Sequence, residues 1–261
     1  MVFLRAILRL IRLSSSLLGA LAIFLALLAR TKNLSLSLGK AIPLFFIAVC
    51  TFIANDLDDL ERDRVNHPER PLPARHLTPE FAAVLYFVSL ALALFSTRYF
   101  VARDIAFWYY GLMSLSISYG YIVECLPSFK TPYVAAASAV PVLIIARLYP
   151  DELRLYVVAA SVFLFSLGRE VCGVIQDRHG DPASYLHRFK PSSLAVISFL
   201  VQAIGLFLLA TQIRKSGEVA CLLAMTFLLV LAGVYWFKSA SYRHATLLMK
   251  IQLFVGLYFL V

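Results

Sequence analysis

Charge is what this sequence has least of: only 15% of its 261 residues are Asp, Glu, Lys or Arg, and the mean hydropathy is +0.81. A soluble domain of this length carries about a quarter charged residues, so the deficit excludes a water-soluble globule. Cysteine is scarce too. Cys50, Cys125, Cys172 and Cys221 show no CxxC or CxxH spacing, and at least Cys50 and Cys221 fall inside apolar runs, which argues against both a disulfide framework and a zinc site. Low-complexity segments, long linkers and a soluble second domain are likewise missing. The net charge is +9, but the 24 basic residues are scattered between apolar runs and form no stripe. That pattern suits lipid headgroups and not nucleic acid.

What the sequence has instead is a series of charge-free runs, at 13–29, 41–55, 81–97, 105–123, 131–146, 155–168, 191–213, 219–237 and 251–261. On average they fall a little under the roughly 20 residues that span a bilayer core. The first follows Arg5, Arg9 and Arg12 like the apolar core of a signal peptide, yet the eight runs behind it make it the first helix. The predicted fold is all-α: a single integral membrane domain over residues 1–261, with nine transmembrane helices. Placing the N-terminus in the cytoplasm puts 14 basic residues in inside segments and nine outside, with Lys250 in the last span. The bias predicts a multi-pass protein with N-in, C-out topology and cytoplasmic active-side loops.

The 15 acidic residues are far from evenly spread. Six lie between Asp56 and Glu69 and three between Glu170 and Asp181. These two loops follow the second and sixth spans, so they share one side of the membrane and can share one site. From Asn55 to His67 there is no Gly or Pro, which predicts helix continuing out of the second span. At 100° per residue, Asp56, Asp59 and Asp63 fall within about 60° of one another. Asp58 and Glu61 point away, with Asp58 within i,i+4 reach of Arg62.

In the second cluster Glu170, Val174, Asp177 and Asp181 form one helical stripe with an apolar centre. At an offset of 118 residues Asp59/Asp63 matches Asp177/Asp181 and Arg70 matches Arg188. Duplication of four helices, with a ninth added, is one way to generate that correspondence.

Convergent carboxylates near a bilayer repel one another and are costly to desolvate. A divalent cation removes the conflict. All-oxygen ligands without His or Cys suit Mg²⁺, which is held by a few carboxylates together with phosphate oxygens. Two such sites facing each other suit a diphosphate.

Asn55-Asp56-x-x-Asp59-x-x-x-Asp63, followed by Arg64-Val65-Asn66-His67-Pro68-Glu69-Arg70-Pro71-Leu72-Pro73, resembles the first aspartate-rich motif of the UbiA superfamily of intramembrane prenyltransferases. Asp177-x-x-x-Asp181 with Gly180 resembles the last two acids of that family's second motif, and Leu126-Pro127-Ser128-Phe129-Lys130 resembles its loop lysine. The resemblance implies nine helices around a central cavity capped by polar loops, and an enzyme whose catalytic acids are Asp56, Asp59, Asp63, Asp177 and Asp181. Asn55, Asp56, Asp59 and Asp63 would hold one Mg²⁺ and Asp177 with Asp181 another. Asn55, Arg70 and Lys130 would bind the diphosphate. Arg188 and Lys190 admit two readings, a further cationic grip or a positive-inside flank.

Val174 stands at the first acid of the second motif and Gly173 where many members have Lys, while no Asn follows Lys130. Glu170, one turn earlier, is either a replacement metal ligand or a buried partner for Arg169 or Arg178. His67, His179 and His187 are loop histidines able to act as bases near neutral pH. Phe107, Trp108, Tyr109, Tyr110, Tyr119 and Tyr121 either line a cation's path or pack at the membrane interface.

The expected function is Mg²⁺-dependent transfer of an isoprenyl group from its diphosphate to a hydrophobic or aromatic acceptor in the membrane, releasing diphosphate. Two alternatives stay open. One is a terpene cyclase of the same superfamily, acting on the isoprenyl diphosphate alone. The other is a non-catalytic transporter or scaffold, although transporters usually place charge at the membrane midplane in broken helices.

Overall fold

The computed structural model describes residues 2–126, 129–176, 185–239 and 242–261. Asp177, His179 and Asp181 lie outside the described residues. The helices are α1 (Val2–Leu10), α2 (Leu13–Thr31), α3 (Leu34–Asp58), α4 (Leu60–Asn66), α5 (Pro79–Phe100), α6 (Arg103–Cys125), α7 (Lys130–Leu148), α8 (Leu153–Gln176), α9 (Pro191–Ala210), α10 (Ser216–Ser239) and α11 (Tyr242–Gly256). Short 3-10 turns cover Tyr185–Arg188 and Leu257–Leu260. Among the described residues there is no strand.

Among the described residues, seven helices are long and apolar enough to cross a membrane, namely α2, α3, α5, α7, α8, α9 and α10. The apolar run 105–123 lies within the 23 residues of α6, and the last run occupies α11 and the turn after it. One element was not foreseen from the apolar runs. Helix α1 precedes the first span and is amphipathic: Ala6 and Leu10 are buried, while Arg5 and Arg9 are exposed.

The chain forms two compact units, residues 1–125 and 126–261. In the first, α2, α5 and α6 all pack on α3. Local chemistry starts these helices where the sequence changes character. The Asn33 side chain caps α3 by accepting from the Leu36 N–H at 3.0 Å. Thr78 does the same for α5 through the Phe81 N–H at 3.2 Å, with Pro79 in the first turn, where its missing N–H costs nothing. In a hydrocarbon setting polar groups need protein partners. Accordingly the Tyr109 hydroxyl donates to the Lys40 carbonyl at 2.9 Å, and the Thr51 and Ser116 hydroxyls meet at 2.7 Å, tying α6 to α3.

In the second unit α8 packs on α7, α9 and α11, and α10 packs on α9 and α11. A buried ion pair fixes one end of this unit. The Arg154 guanidinium pairs with the Glu218 carboxylate and donates to the Phe259 carbonyl at 3.2 Å. Glu218 also accepts the backbone N–H groups of Arg214 and Lys215, at 2.6 and 3.2 Å. These extra bonds offset the desolvation that makes an isolated buried pair unfavourable. Shifted by 118 residues, the bounds of α2 and α3 fall within one residue of those of α7 and α8.

Candidate active site

The acidic segment leaves the membrane end of α3 and enters α4 across a single non-helical residue, Asp59, at φ −88° and ψ 6°. The sequence predicts unbroken helix here, and the break is the difference. It does not disturb the facing of the side chains, because the i→i−4 ladder runs through it. The Asp59 N–H bonds the Asn55 carbonyl at 2.9 Å, and the Asp63 N–H bonds the Asp59 carbonyl at 2.8 Å. Asp56 and Asp63 are buried, at 3% and 4% exposure. The Asp59 side chain is 14% exposed, while Asp58 and Glu61 face outward.

Each inward carboxylate meets a guanidinium. Arg12 pairs with Asp56. Arg62, which the sequence places within reach of Asp58, donates to Asp59 Oδ1 at 2.8 Å. Arg70 Nη1 donates to Asp63 Oδ2 at 2.5 Å and lies 3.7 Å from Asp56 Oδ1. Burial pushes the Asp63 carboxyl above its ordinary range, and Arg70 pulls in the opposite direction. On the outer face Arg64 pairs with Glu61 at 2.8 Å, an exposed contact worth little.

Arg70 reaches inward because the loop carrying it is a stack of turns. The Arg70 N–H bonds the His67 carbonyl at 3.0 Å, the Ala74 N–H bonds the Arg70 carbonyl at 2.9 Å, and the His76 N–H bonds the Pro71 carbonyl at 2.9 Å. Pro68, Pro71 and Pro73 restrict the backbone, and Arg75 adopts a left-handed φ of 56°. Leu72 and Leu77 anchor the loop in one apolar cluster with Ala6, Leu10, Val49, Ile53 and Ala82.

The donor chemistry here fits a hard divalent cation. One guanidinium nitrogen sits between oxygens of Asp56 and Asp63, so these two carboxylates converge on a positive charge, with Asp59 between them in sequence. Among the described residues no three His, Cys, Asp or Glu side chains close into a metal cage. Mg²⁺ does not require one, since it is commonly held by one or two carboxylates plus substrate phosphates. Asn55 immediately precedes Asp56 at the end of α3 and is half-buried.

In the second unit Lys130 is the first residue of α7. Arg188 closes the 3-10 turn before Pro191 opens α9, and it is exposed. Glu170 accepts from Arg169 Nε and Nη2 at 3.1 and 2.6 Å, in a pair that is only partly buried. His67 Nδ1 lies 3.9 Å from Glu69 Oε1. Among the aromatics Tyr109 is fully buried with its hydroxyl on Lys40, whereas Phe107 and Tyr121 are exposed.

Arg12 is the site residue that sequence reasoning placed elsewhere, as a basic flank of the first span. It lies 44 positions before Asp56, and no spacing rule links the two. The only local hint was a cation at the junction between an amphipathic stretch and an apolar run.

Comparison with known proteins agrees with this architecture. A digeranylgeranylglyceryl phosphate synthase of Sulfolobus acidocaldarius is 28% identical over 162 residues, 54% of each chain. The chain therefore spans about half the length of the curated relatives it matches. The apo structure of a UbiA homolog from Aeropyrum pernix K1 superposes with a TM-score of 0.77 at 16% identity, covering 94% of this chain and 96% of that one. A UbiA homolog from Archaeoglobus fulgidus, bound to GPP and Mg²⁺, superposes at 0.63 with 16% identity and 98% and 99% coverage. At such identity these structures establish the fold. The family model for UbiA prenyltransferases matches residues 15–260, so the chain belongs to the UbiA prenyltransferase family.

Proposed function

We propose that this chain transfers an isoprenyl group from an isoprenyl diphosphate to an acceptor within the membrane, releasing diphosphate. The observation that carries the reading is the convergence of buried Asp56 and Asp63 on a single cationic nitrogen, beside Asp59. Asn55, Asp56, Asp59 and Asp63 would hold one Mg²⁺, with Asp177 and Asp181 assigned to a second. Bound there, Mg²⁺ supplies charge to the diphosphate as its C1–O bond breaks. Arg70, Lys130 and Arg188 bind the diphosphate and stabilise the charge that grows on the leaving oxygen. The buried setting around Asp56 and Asp63 excludes water that would quench an allylic cation. The acceptor then bonds to C1 and loses its proton.

Family membership and the relatives' names support an isoprenoid donor. Those names favour a prenylated glyceryl phosphate as the acceptor to test first. Helix α6 and the α11 segment would bring the crossings to nine. The 23 residues of α6 span about 35 Å at 1.5 Å per residue. The matching bounds of α2–α3 and α7–α8 support an internal duplication within one membrane domain. The positive-inside bias supports a cytoplasmic mouth capped by the polar loops.

The test is to incubate purified protein with radiolabelled geranylgeranyl diphosphate and Mg²⁺, with and without a panel of acceptors. Acceptor-linked product supports the proposal. A cyclic hydrocarbon formed without acceptor would make the chain a cyclase. Intact donor in every reaction would leave a non-catalytic role.

A further inference from the structure

The charge on Asp56 is matched from outside its own segment. Arg12 lies in the joint between α1 and α2 with a left-handed backbone, φ 44° and ψ 54°, a conformation that non-glycine residues rarely adopt. Its main chain serves both helices: the N–H bonds the Arg9 carbonyl at 3.1 Å, and the carbonyl accepts from Ser15 and Ser16 at 2.8 and 3.0 Å. This places the guanidinium against Asp56, 5.1 Å above the Phe52 ring, where cation and aromatic face attract. The arm bearing Arg12 is tied to the site by packing as well. Ala6 and Leu10 of α1 share an apolar cluster with Leu72 and Leu77 of the Arg70 loop.

Asp56 is thus a buried carboxylate whose Oδ1 is paired with Arg12, with Arg70 farther off at 3.7 Å. A metal ion cannot take its oxygens at full strength while the guanidinium remains on them. We infer that Arg12 is a latch on Asp56 that Mg²⁺ displaces, so that the N-terminal arm sets the metal affinity of the site and loosens when metal binds. The inference rests on the prenyl-transfer reading in assigning Asp56 to Mg²⁺. It makes Arg12 a positioning residue acting through Asp56.

Competition has a sign that a merely structural arginine lacks. Removing the latch should tighten binding of Mg²⁺ alone, so titration calorimetry of donor-free protein should show the Kd for Mg²⁺ falling at least about fivefold in Arg12→Gln, with Arg12→Lys restoring much of the wild-type value. An unchanged or weaker Kd in a folded Arg12→Gln protein overturns the latch. A second measurement needs only the wild-type chain. Trypsin cleavage after Arg12 should speed up on adding Mg²⁺, because the arm is released. A ligand that merely stabilised the fold would slow it, and that result, or no change, also overturns the proposal. Wild-type protein that binds no Mg²⁺, with or without geranylgeranyl diphosphate, would instead defeat the underlying functional reading.

Discussion

Arg70 donates to Asp63 across seven residues of sequence at 2.5 Å, and the same nitrogen lies 3.7 Å from Asp56. Asp63 is nearly inaccessible and burial raises its pKa, while Arg70 pulls it in the opposite direction. A loop held by three prolines and a set of backbone turns delivers it there. Two duties follow, charge balance in the resting site and a grip on the donor during turnover.

Arg70→Ala separates these duties. It should raise the apparent KM for the isoprenyl diphosphate at least tenfold, or about 1.4 kcal/mol. It should also lower the melting temperature of donor-free protein, since a buried carboxylate loses its partner. Adding Mg²⁺ should recover part of that stability without restoring KM. If the melting temperature falls but KM and kcat are unchanged, Arg70 only orders the loop.

The two faces of the acidic segment give a second prediction. Asp59→Ala should reduce kcat at least a thousandfold, about 4 kcal/mol of barrier, whereas Asp58→Ala retains most activity. Asp58 is exposed and its carboxylate lies beside Gly120 of α6. Equal losses in the two variants, both shown to be folded, would defeat the face assignment.

Much of this site could be read in the sequence because helical periodicity is local. The 100° spacing that groups Asp56, Asp59 and Asp63 survives even the pause at Asp59, because the hydrogen-bond ladder continues across it. The partners were less legible. Arg62 reaches Asp59 at i,i+3 by local geometry, but Arg12 depends on where α1 folds back, and Lys40 looks like an outside flank although it is 7% exposed within α3. The pairing of Arg154 with Glu218 links helices 64 residues apart. Charge-free runs mark where chain enters the bilayer and say nothing of which ends meet.

Helix packing in the second unit supports a contrast between two glycines of α8. A Cβ at Gly168 would fall 2.6 Å from Gln202 Cγ and 2.9 Å from the Ser198 carbonyl, in a contact where Ser198 Oγ already donates to the Gly168 carbonyl at 2.7 Å. Gly168→Ala should force α8 and α9 apart and cost about 1–3 kcal/mol. At Gly173 nothing lies within 4 Å of the added carbon, and Gly173→Ala should stabilise by up to about 1 kcal/mol through helix propensity. Melting temperatures in one detergent provide the check. A Gly168→Ala protein as stable as wild type would mean that this contact is looser than its geometry indicates.

The last prediction concerns Val174, where the resemblance calls for an acid. Glu170, one turn before it, is bound to Arg169 at 2.6 Å, so its carboxylate is already matched and would have to leave that pair to serve as a ligand. The second Mg²⁺ should therefore be held weakly. Val174→Asp adds a carboxylate one turn after Glu170 on α8, and should lower the Mg²⁺ concentration that gives half-maximal rate. Without metal, the same substitution should lower the melting temperature through desolvation and like-charge repulsion. Mg²⁺ should then reverse that loss, giving a metal-dependent thermal shift larger than in the wild type. Glu170→Ala discriminates further. If it sharply raises the Mg²⁺ requirement while Val174→Asp has no effect, Glu170 has replaced the missing ligand. If neither substitution alters the Mg²⁺ dependence, no second metal is held on this helix.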